Sequence, residues 1–266
     1  FPSSMKSTLT ALQVAQDLGD PMMIAMDLRE LSRAYRLNGM PVKAVEEARN
    51  SLAMLLSIRN ETEIAAGQLV LIQAMIDAGQ LDQAYAQAST GMAKAKQQGD
   101  TVQQAQLNKA IGAVYVCQRN YPDAVVHLTQ AERILANRDM AAEQLGVYEA
   151  LTMAFIGLGR TEEALNSLGR ASGVLRKVDT WGNRQRVAEL RYRLAVAEQD
   201  WHKAIALVEG IRNAADSLSH ARMDMQLASM QLNRELVKKE KANSQLRTEN
   251  AQRAKYIAEV LSQNRV

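Results

Sequence analysis

The sequence predicts an all-α solenoid of antiparallel helix pairs with a 40-residue period, followed by a long, coiled-coil-like C-terminal helix. Three observations predict this fold. Aromatic residues make up only 4% of the 266 residues, while strong helix formers such as Ala, Leu, Gln and Met dominate. A short motif ending in alanine recurs at a constant spacing. Residues 214–266 contain neither Gly nor Pro, so they hold no turn signal.

The alanine motif divides the chain into repeats. A small turn, such as Asn38-Gly39 or Leu158-Gly159, is followed after three or four residues by Ala and then a bulky residue. Five copies at one constant step are the signature of a repeat architecture. The alanines are Ala44, Ala84, Ala124, Ala164 and Ala204, at a step of 40 residues.

Helix starts recur in phase with these alanines. Asn and Asp side chains cap helix N-termini by accepting backbone N–H bonds, and Pro21 occupies the favoured first helical position. Glu63 follows its capping residue by three positions, as in a capping box. Each repeat is therefore predicted to contain two helices, A and B, of about 17 residues each. The predicted caps are Asp20, Asn60, Asp100 and Asp139.

The repeats are predicted to fill a domain that covers residues 1–213. Residues 4–18 are predicted to be a helix B from a preceding half-repeat. The remaining residues of the domain form about five full repeats, and residues 214–266 form the C-terminal helix. The five repeats are predicted at 21–58, 61–98, 101–137, 141–178 and 182–213.

The crossing positions of the two helices carry a resemblance to a known family. Small residues recur where helix A meets helix B, and a large aliphatic residue precedes the helix A position in four repeats. Over roughly residues 4–213 this pattern resembles the tetratricopeptide repeat (TPR). The period of 40 exceeds the usual 34 of that family, and the fifth copy, with Tyr192 and Ile211, is interpreted as a degenerate capping repeat. The small residues are Ser32, Gly112 and Thr152 in helix A, and Ser51, Gly91, Ala131 and Ala171 in helix B.

The resemblance implies a groove that is lined by helix A and binds a protein or peptide segment. Three arginines of the first repeat fall at i, i+4 and i+7, which predicts a shared basic face. The groove is thus expected to be basic at its start and apolar in its middle, and to suit a segment acidic at one end. Alternatively, the arginines pair with Glu30 or with neighbouring repeats. The predicted groove residues are Arg29, Arg33, Arg36, Leu69, Val70, Gln73, Ile76, Lys109, Val116, Glu149, Met153, Ile156, Arg186 and Arg193.

The C-terminal helix, 214–266, has a heptad pattern interrupted by polar residues. Buried Asn at a core position of a coiled coil specifies a two-stranded register. The pattern predicts a possible homodimer through this helix, and the alternative is a solvated helix whose first half packs on the last repeat. The predicted dimer positions are Leu218, Met225, Leu232, Leu236, Asn243, Leu246, Asn250, Ile257 and Val260.

Composition argues against several functional classes. Net charge is +3 from 32 basic and 29 acidic residues, a balance that does not indicate nucleic-acid binding. Cys117 is the single cysteine, and the three histidines have no metal-ligand spacing. There is no catalytic motif, so we expect no enzyme, no cofactor and no metal site. No apolar run reaches the length of about 18 residues that would predict a membrane-spanning segment.

A TPR array that leads into a polar heptad helix resembles the sensory portion of bacterial receptors, such as TPR-diguanylate cyclases or histidine kinases. This implies a sensory and interaction domain that relays a signal through its C-terminal helix to an output domain outside these residues. It favours the periplasmic side of a bacterial inner membrane, with the cytoplasm as the alternative. Two further functions stay open: a structural scaffold or adaptor of a multiprotein complex, and a peptide-responsive TPR regulator.

Overall fold

A computed structural model describes residues 2–217 of the chain, and these residues are helical apart from short turns. They contain no strand, which confirms the predicted all-α fold. Residues 201–217 are helical as well and follow the tenth helix. The ten helices before them are α1 (Pro2–Leu18), α2 (Pro21–Leu37), α3 (Pro41–Ile58), α4 (Glu61–Asp77), α5 (Leu81–Gln97), α6 (Thr101–Cys117), α7 (Tyr121–Leu135), α8 (Ala141–Gly157), α9 (Thr161–Leu175) and α10 (Trp181–Ala197).

Helix starts follow the predicted caps in three repeats. The side chains of Asp20, Asn60 and Asp100 accept backbone N–H bonds at the N-termini of α2, α4 and α6. The prediction for Asp139 is wrong, because Met140 is the N-cap residue of α8 and makes no side-chain cap bond. Asp139 instead forms an ion pair with the exposed Lys177 after α9.

The turn between helices A and B contains one residue with a left-handed backbone in every repeat. Met40 N donates to Tyr35 O in the first of these turns, as in a Schellman motif, and the same bond recurs from Gln80 to Met75. Glycine adopts this conformation without steric cost, whereas other residues are strained in it. The left-handed residues are Gly39, Gly79, Arg119, Gly159 and Gln199, with φ between 60° and 73°.

Replacing Arg119 by Gly is expected to stabilise the protein by about 0.5 kcal/mol, because the left-handed strain is relieved while some backbone entropy is lost. Thermal unfolding followed by circular dichroism measures the change. The matched control is Arg133→Gly, inside α7, which is expected to destabilise by about 1 kcal/mol because glycine is a poor helix former. If Arg119→Gly also destabilised the protein, the left-handed turn would not be strained.

Packing within each repeat depends on the recurring alanines. Ala44, Ala84, Ala124 and Ala164 are fully buried, and only a methyl side chain lets helices A and B approach this closely. Gly112 on α6 allows a still closer approach, since a Cβ atom there would lie 2.5 Å from Leu128 Cγ on α7. The residue types at these crossings therefore set the spacing of each helix pair.

The order of contacts places the even-numbered helices on one face. Each of α2, α4, α6, α8 and α10 packs against its neighbour in this series, as well as against the odd-numbered helices beside it. The odd-numbered helices of residues 2–217 approach one another only through long side chains, such as Arg49 with Gln83 and Arg170 with Glu132. The even-numbered helices thus form the inner face of the solenoid, the face predicted from helix A.

Residues Phe1–Leu207 form one compact unit, and residues 208–217 belong to a second unit and are helical. Beyond Ser217, the predicted C-terminal helix lies outside the residues that the structure describes. No described helix is both long enough and apolar enough to cross a membrane. The predicted dimer positions Leu218, Met225, Leu232, Leu236, Asn243, Leu246, Asn250, Ile257 and Val260 likewise lie outside the described residues.

Candidate functional site

A pocket of about 630 Å³ opens on the inner face and is shared by all five even-numbered helices. Its walls are polar and charged, and its floor is made of small and aliphatic side chains. The lining residues are Arg33, Arg36, Ala66, Leu69, Val70, Gln73, Asp77, Gln106, Lys109, Ala110, Ala113, Ala142, Glu143, Gly146, Glu149, Ala150 and Arg186.

The floor of the pocket is the seam between α4 and α6. Leu69 and Val70 of α4 face Ala110 and Ala113 of α6 there, and all four side chains are buried or half-buried. No side-chain hydrogen bond or ion pair crosses this seam among residues 2–217. Polar side chains do cross each neighbouring seam of the inner face, so the α4–α6 seam is an apolar strip between polar borders. The crossing pairs are Arg29–Glu63 and Arg36–Asp77, Gln106–Glu143, and Arg186–Glu149.

Three of the four cations in the pocket already have a carboxylate partner. Arg33 pairs with Glu30 at 2.7 Å on its own helix. Arg36 reaches Asp77 of α4 at 2.6 Å, and Asp77 also accepts a bond from Gln73. The third cation is Arg186, whose Nε lies 3.0 Å from Glu149 Oε2. These pairs hold the arginine side chains against the pocket walls.

Lys109 is the exception among the pocket cations. Its half-buried side chain lies on α6 beside the apolar floor, and within residues 2–217 its ammonium makes no hydrogen bond or ion pair. Burial lowers the pKa of Lys109, and the charges of Glu143 and Glu149 oppose that shift. The Lys109 side chain lies against Gly146 of α8, since a Cβ atom there would lie 3.4 Å from Lys109 Cδ and 3.7 Å from its Nζ.

Burial shifts the pKa values of both Glu149 and Lys109 toward the neutral form of each side chain. Burial raises the pKa of the Glu149 carboxyl, while Arg186 and Lys109 act in the opposite direction. Its side chain is only 16% exposed, whereas Arg186 is 56% exposed. Among residues 2–217, the pocket therefore holds a half-buried acid with a direct ionic partner and a half-buried base without one.

Replacing Lys109 by Met is expected to raise the free energy of unfolding by about 1 kcal/mol at pH 7, because the folded protein no longer desolvates a charge that lacks a direct partner. A lowered folded pKa means that the unfolded chain binds more protons, so wild-type stability rises with pH between that pKa and about 10.5. The gain of Lys109→Met is therefore largest at neutral pH and shrinks on the alkaline side. Urea unfolding at several pH values measures it, and a variant less stable than wild type at pH 7 would contradict it.

The pocket brings together eight of the fourteen groove residues predicted from the sequence. They come from five helices and from positions up to 153 residues apart, between Arg33 and Arg186. Their side chains alternate between the walls and the apolar floor. These eight are Arg33, Arg36, Leu69, Val70, Gln73, Lys109, Glu149 and Arg186.

The other six predicted residues do not line the pocket. Arg29 is only 9% exposed and forms an ion pair with Glu63, and Ile76 is buried in the core. Arg193 is exposed and pairs with Glu189 on its own helix. The expected free basic face of the first repeat is thus replaced by the alternative that was left open, in which the arginines pair with Glu30 and with the next repeat. The remaining three, Val116, Met153 and Ile156, pack against the hydrophobic clusters.

Sequence reasoning did not single out the small residues that open the pocket. Ala142, Gly146 and Ala150 lie four residues apart on α8, and Ala113 lies four residues after Lys109 on α6. Gln106, Lys109 and Ala113 share one stripe of α6, and the three small residues of α8 share another. Small residues at such a spacing are equally typical of helix-crossing positions, so they do not by themselves predict a pocket. The other residues missed are Ala66, Asp77, Ala110 and Glu143.

The rest of the described chain offers little reactive chemistry. Burial raises the pKa of the Cys117 thiol, and the nearby Asp77 adds to this, so both effects favour the protonated form. His127 Nδ1 lies 2.9 Å from Asn108 Oδ1, and burial lowers the pKa of its imidazole. Among residues 2–217 no three His, Cys, Asp or Glu side chains are grouped so that they could hold a metal ion.

Comparisons with known proteins reveal similarity of structure. No protein-family model and no curated protein sequence matches the chain. A protein from Podospora anserina with nearly identical TPR-like repeats is similar in structure at 20% identity and a TM-score of 0.52, over 74% of this chain and 97% of that one. BtubC from P. vanneervenii matches at 15% identity and a TM-score of 0.60, over 82% and 92% of the two chains.

A third similar structure is a Rap protein solved in complex with Competence and Sporulation Factor. It has a TM-score of 0.67 and 12% identity, over 79% of this chain and 59% of the Rap chain. Identities this low indicate a shared fold only. They do not imply that any binding-site residue is shared between these proteins. The helix pairs, the inner face of A helices and these structural neighbours together show that residues 2–207 have the fold of a TPR-like repeat solenoid.

Proposed function

We propose that the inner-face pocket binds a segment of a partner protein or a peptide, and that the chain acts as a sensory and interaction domain. The observation that carries this proposal is the combination of an apolar floor on the α4–α6 seam with charged walls whose arginines are already paired. Burial of a partner's apolar side chains on such a floor is favourable, and the polar groups of the walls can orient the partner.

The span of the pocket favours an extended segment over a compact small molecule. Neighbouring packed helices lie about 8–10 Å apart, so a path from α2 to α10 crosses roughly 30–40 Å. An extended chain covers about 3.3 Å per residue, so about ten residues follow that path. The complex of the Rap protein with Competence and Sporulation Factor supports ligand binding by a solenoid of this fold. It equally favours the second candidate, a peptide-responsive TPR regulator.

The groove assignment is tested by filling the pocket. A displayed library of random 12-residue peptides is selected on the immobilised protein, and the affinities of the selected peptides are measured by fluorescence anisotropy. Ala113→Trp, which places an indole on the half-buried floor, is expected to weaken binding at least tenfold. Val126→Trp on α7 is the control, because Val126 is 54% exposed and lies outside the pocket.

Equal loss of binding in both variants, or none in Ala113→Trp, would exclude the inner face as the site. Selection of no binding peptide would refute peptide recognition itself. Circular dichroism of each variant confirms that the helices remain folded. The scaffold alternative predicts instead that a large folded partner, and no short peptide, binds this chain.

The relay is the second half of the proposal. The heptad pattern from Leu218 to Val260 supports transmission of groove occupancy to an output domain beyond these residues, as in the sensory arrays of bacterial receptors that the sequence resembles. That resemblance favours the periplasmic side of the inner membrane. A homodimer through residues 218–260 would provide the coupling.

Light scattering at several concentrations tests the relay. The chain of 266 residues is compared with a truncation after Asp216, which removes every predicted dimer position. A dimer that becomes a monomer on truncation supports the relay. Two monomers would contradict a dimerising relay and favour the scaffold, in which the C-terminal residues serve only to cap the solenoid.

A further inference from the structure

We infer that the pocket selects a segment carrying a single carboxylate beside an apolar side chain, and that Lys109 is the cation that receives the carboxylate. This inference rests on the proposed binding of a peptide or protein segment in the same pocket. One central lysine takes the place of the basic face that was expected from the first-repeat arginines.

The pocket cations differ in how they are paired. Arg33, Arg36 and Arg186 each have a carboxylate within 3.0 Å, so the charge of each of these side chains is already balanced by a direct partner. Lys109 has no partner to displace within residues 2–217. A ligand carboxylate that reaches its ammonium accepts a charge-assisted hydrogen bond and balances a charge that is poorly solvated.

The position of Lys109 suits this role. Lys109 borders the apolar strip, because Ala110 follows it directly and Ala113 lies one helical turn further along α6. Leu69 and Val70 complete the strip from α4. A segment whose apolar side chain rests on this strip therefore places its neighbouring side chain within reach of the Lys109 ammonium. The Lys109 side chain itself lies against Gly146 of α8.

The charges of the walls limit how many negative charges a ligand can bring. Four cations line the pocket, Lys109 and three arginines, against the three carboxylates Asp77, Glu143 and Glu149, and Glu30 pairs with Arg33 from outside the lining. Lys109 is the one of these cations without a direct partner among residues 2–217, so it matches one carboxylate of a ligand. A run of acidic residues or a phosphorylated residue brings at least one further negative charge close to Glu143 and Glu149, where like charges repel. The pocket thus favours a monoanionic segment.

The test is a double-mutant cycle on peptides selected from the random 12-residue library. Removing the single carboxylate of a selected peptide, by Asp→Asn or Glu→Gln, is expected to weaken binding to the wild-type protein at least tenfold. It is expected to change binding to Lys109→Met less than twofold. Lys203→Met is the matched control, because Lys203 lies outside the pocket and pairs with Glu198, and there the carboxylate should matter as in wild type.

Selectivity is measured with two further peptides. Adding two Asp residues next to the carboxylate, or replacing the acidic residue by phosphoserine, is expected to weaken binding at least threefold at low salt. Tighter binding of either peptide would overturn the monoanionic preference. If Ala113→Trp blocks the peptides but removal of their carboxylate weakens wild type and Lys109→Met equally, the role of Lys109 is refuted while the binding groove stands. Failure of Ala113→Trp to block them refutes the groove itself.

Discussion

Replacing Glu63 by Ala is expected to lower the free energy of unfolding by about 3 kcal/mol, because it strands the guanidinium of Arg29 between α2 and α4. The Arg29 side chain is only 11% exposed, and its Nε already lacks a partner among residues 2–217. Removing the carboxylate thus leaves a buried charge with too few acceptors. Thermal and urea unfolding measure the loss.

Two comparisons separate this cause from ordinary side-chain loss. The double variant Arg29→Met with Glu63→Leu removes both charges and is expected to lie within about 1 kcal/mol of wild type. Glu30→Ala removes the partner of Arg33, whose pair is about half exposed, and is expected to cost less than about 0.5 kcal/mol. A Glu63→Ala variant as stable as Glu30→Ala would show that the Arg29 pair contributes no more than a surface pair.

Replacing Gly112 by Ala is expected to destabilise the protein by about 2 kcal/mol, equivalent to roughly 5 °C in Tm. The added Cβ would lie 2.5 Å from Leu128 Cγ and 2.7 Å from Leu128 Cδ2, so α6 and α7 must separate or Leu128 must leave its buried position. Scanning calorimetry gives the change in Tm.

Gly169→Ala is the matched control for this substitution. Gly169 lies inside α9, and a Cβ atom there meets nothing within 4 Å. The same chemical change is then expected to stabilise by about 0.5–1 kcal/mol, because Ala favours a helix more than Gly does. Opposite signs for the two variants would locate the cost of Gly112→Ala in the helix crossing. Equal signs would contradict the close approach of α6 and α7.

Much of the fold could be predicted because its determinants are local or strictly periodic. The alanine at each helix crossing, from Ala44 to Ala204, has the same role in every repeat, so a pattern of residue types is sufficient to find it. The capping residues Asp20, Asn60 and Asp100 act within three residues of their own position. Asp139 is the exception. Met140 is the N-cap residue of α8, and Asp139 forms an ion pair with Lys177, which lies 38 residues away.

The candidate site was less predictable. Helical spacing predicted that Arg29, Arg33 and Arg36 share one face of α2. Only part of that face borders the pocket, and Arg29 pairs with Glu63 instead. The missed residues of α8 are small, and Lys109 of α6 packs against one of them, Gly146. Which side chain packs against a small residue depends on how the repeats stack, so the residue type alone does not predict it.

The sequence by itself determined the helix-pair solenoid of this protein, its 40-residue step and the face that carries helix A. These features depend on backbone propensity, capping and hydrophobic periodicity, which neighbouring residues decide together. Only the tertiary structure decided which charges are paired, because the partners Arg29–Glu63, Arg36–Asp77 and Arg186–Glu149 lie 34 to 41 residues apart. It also decided that Lys109 has no direct partner among residues 2–217, since that depends on the distances between stacked repeats and not on any one helix.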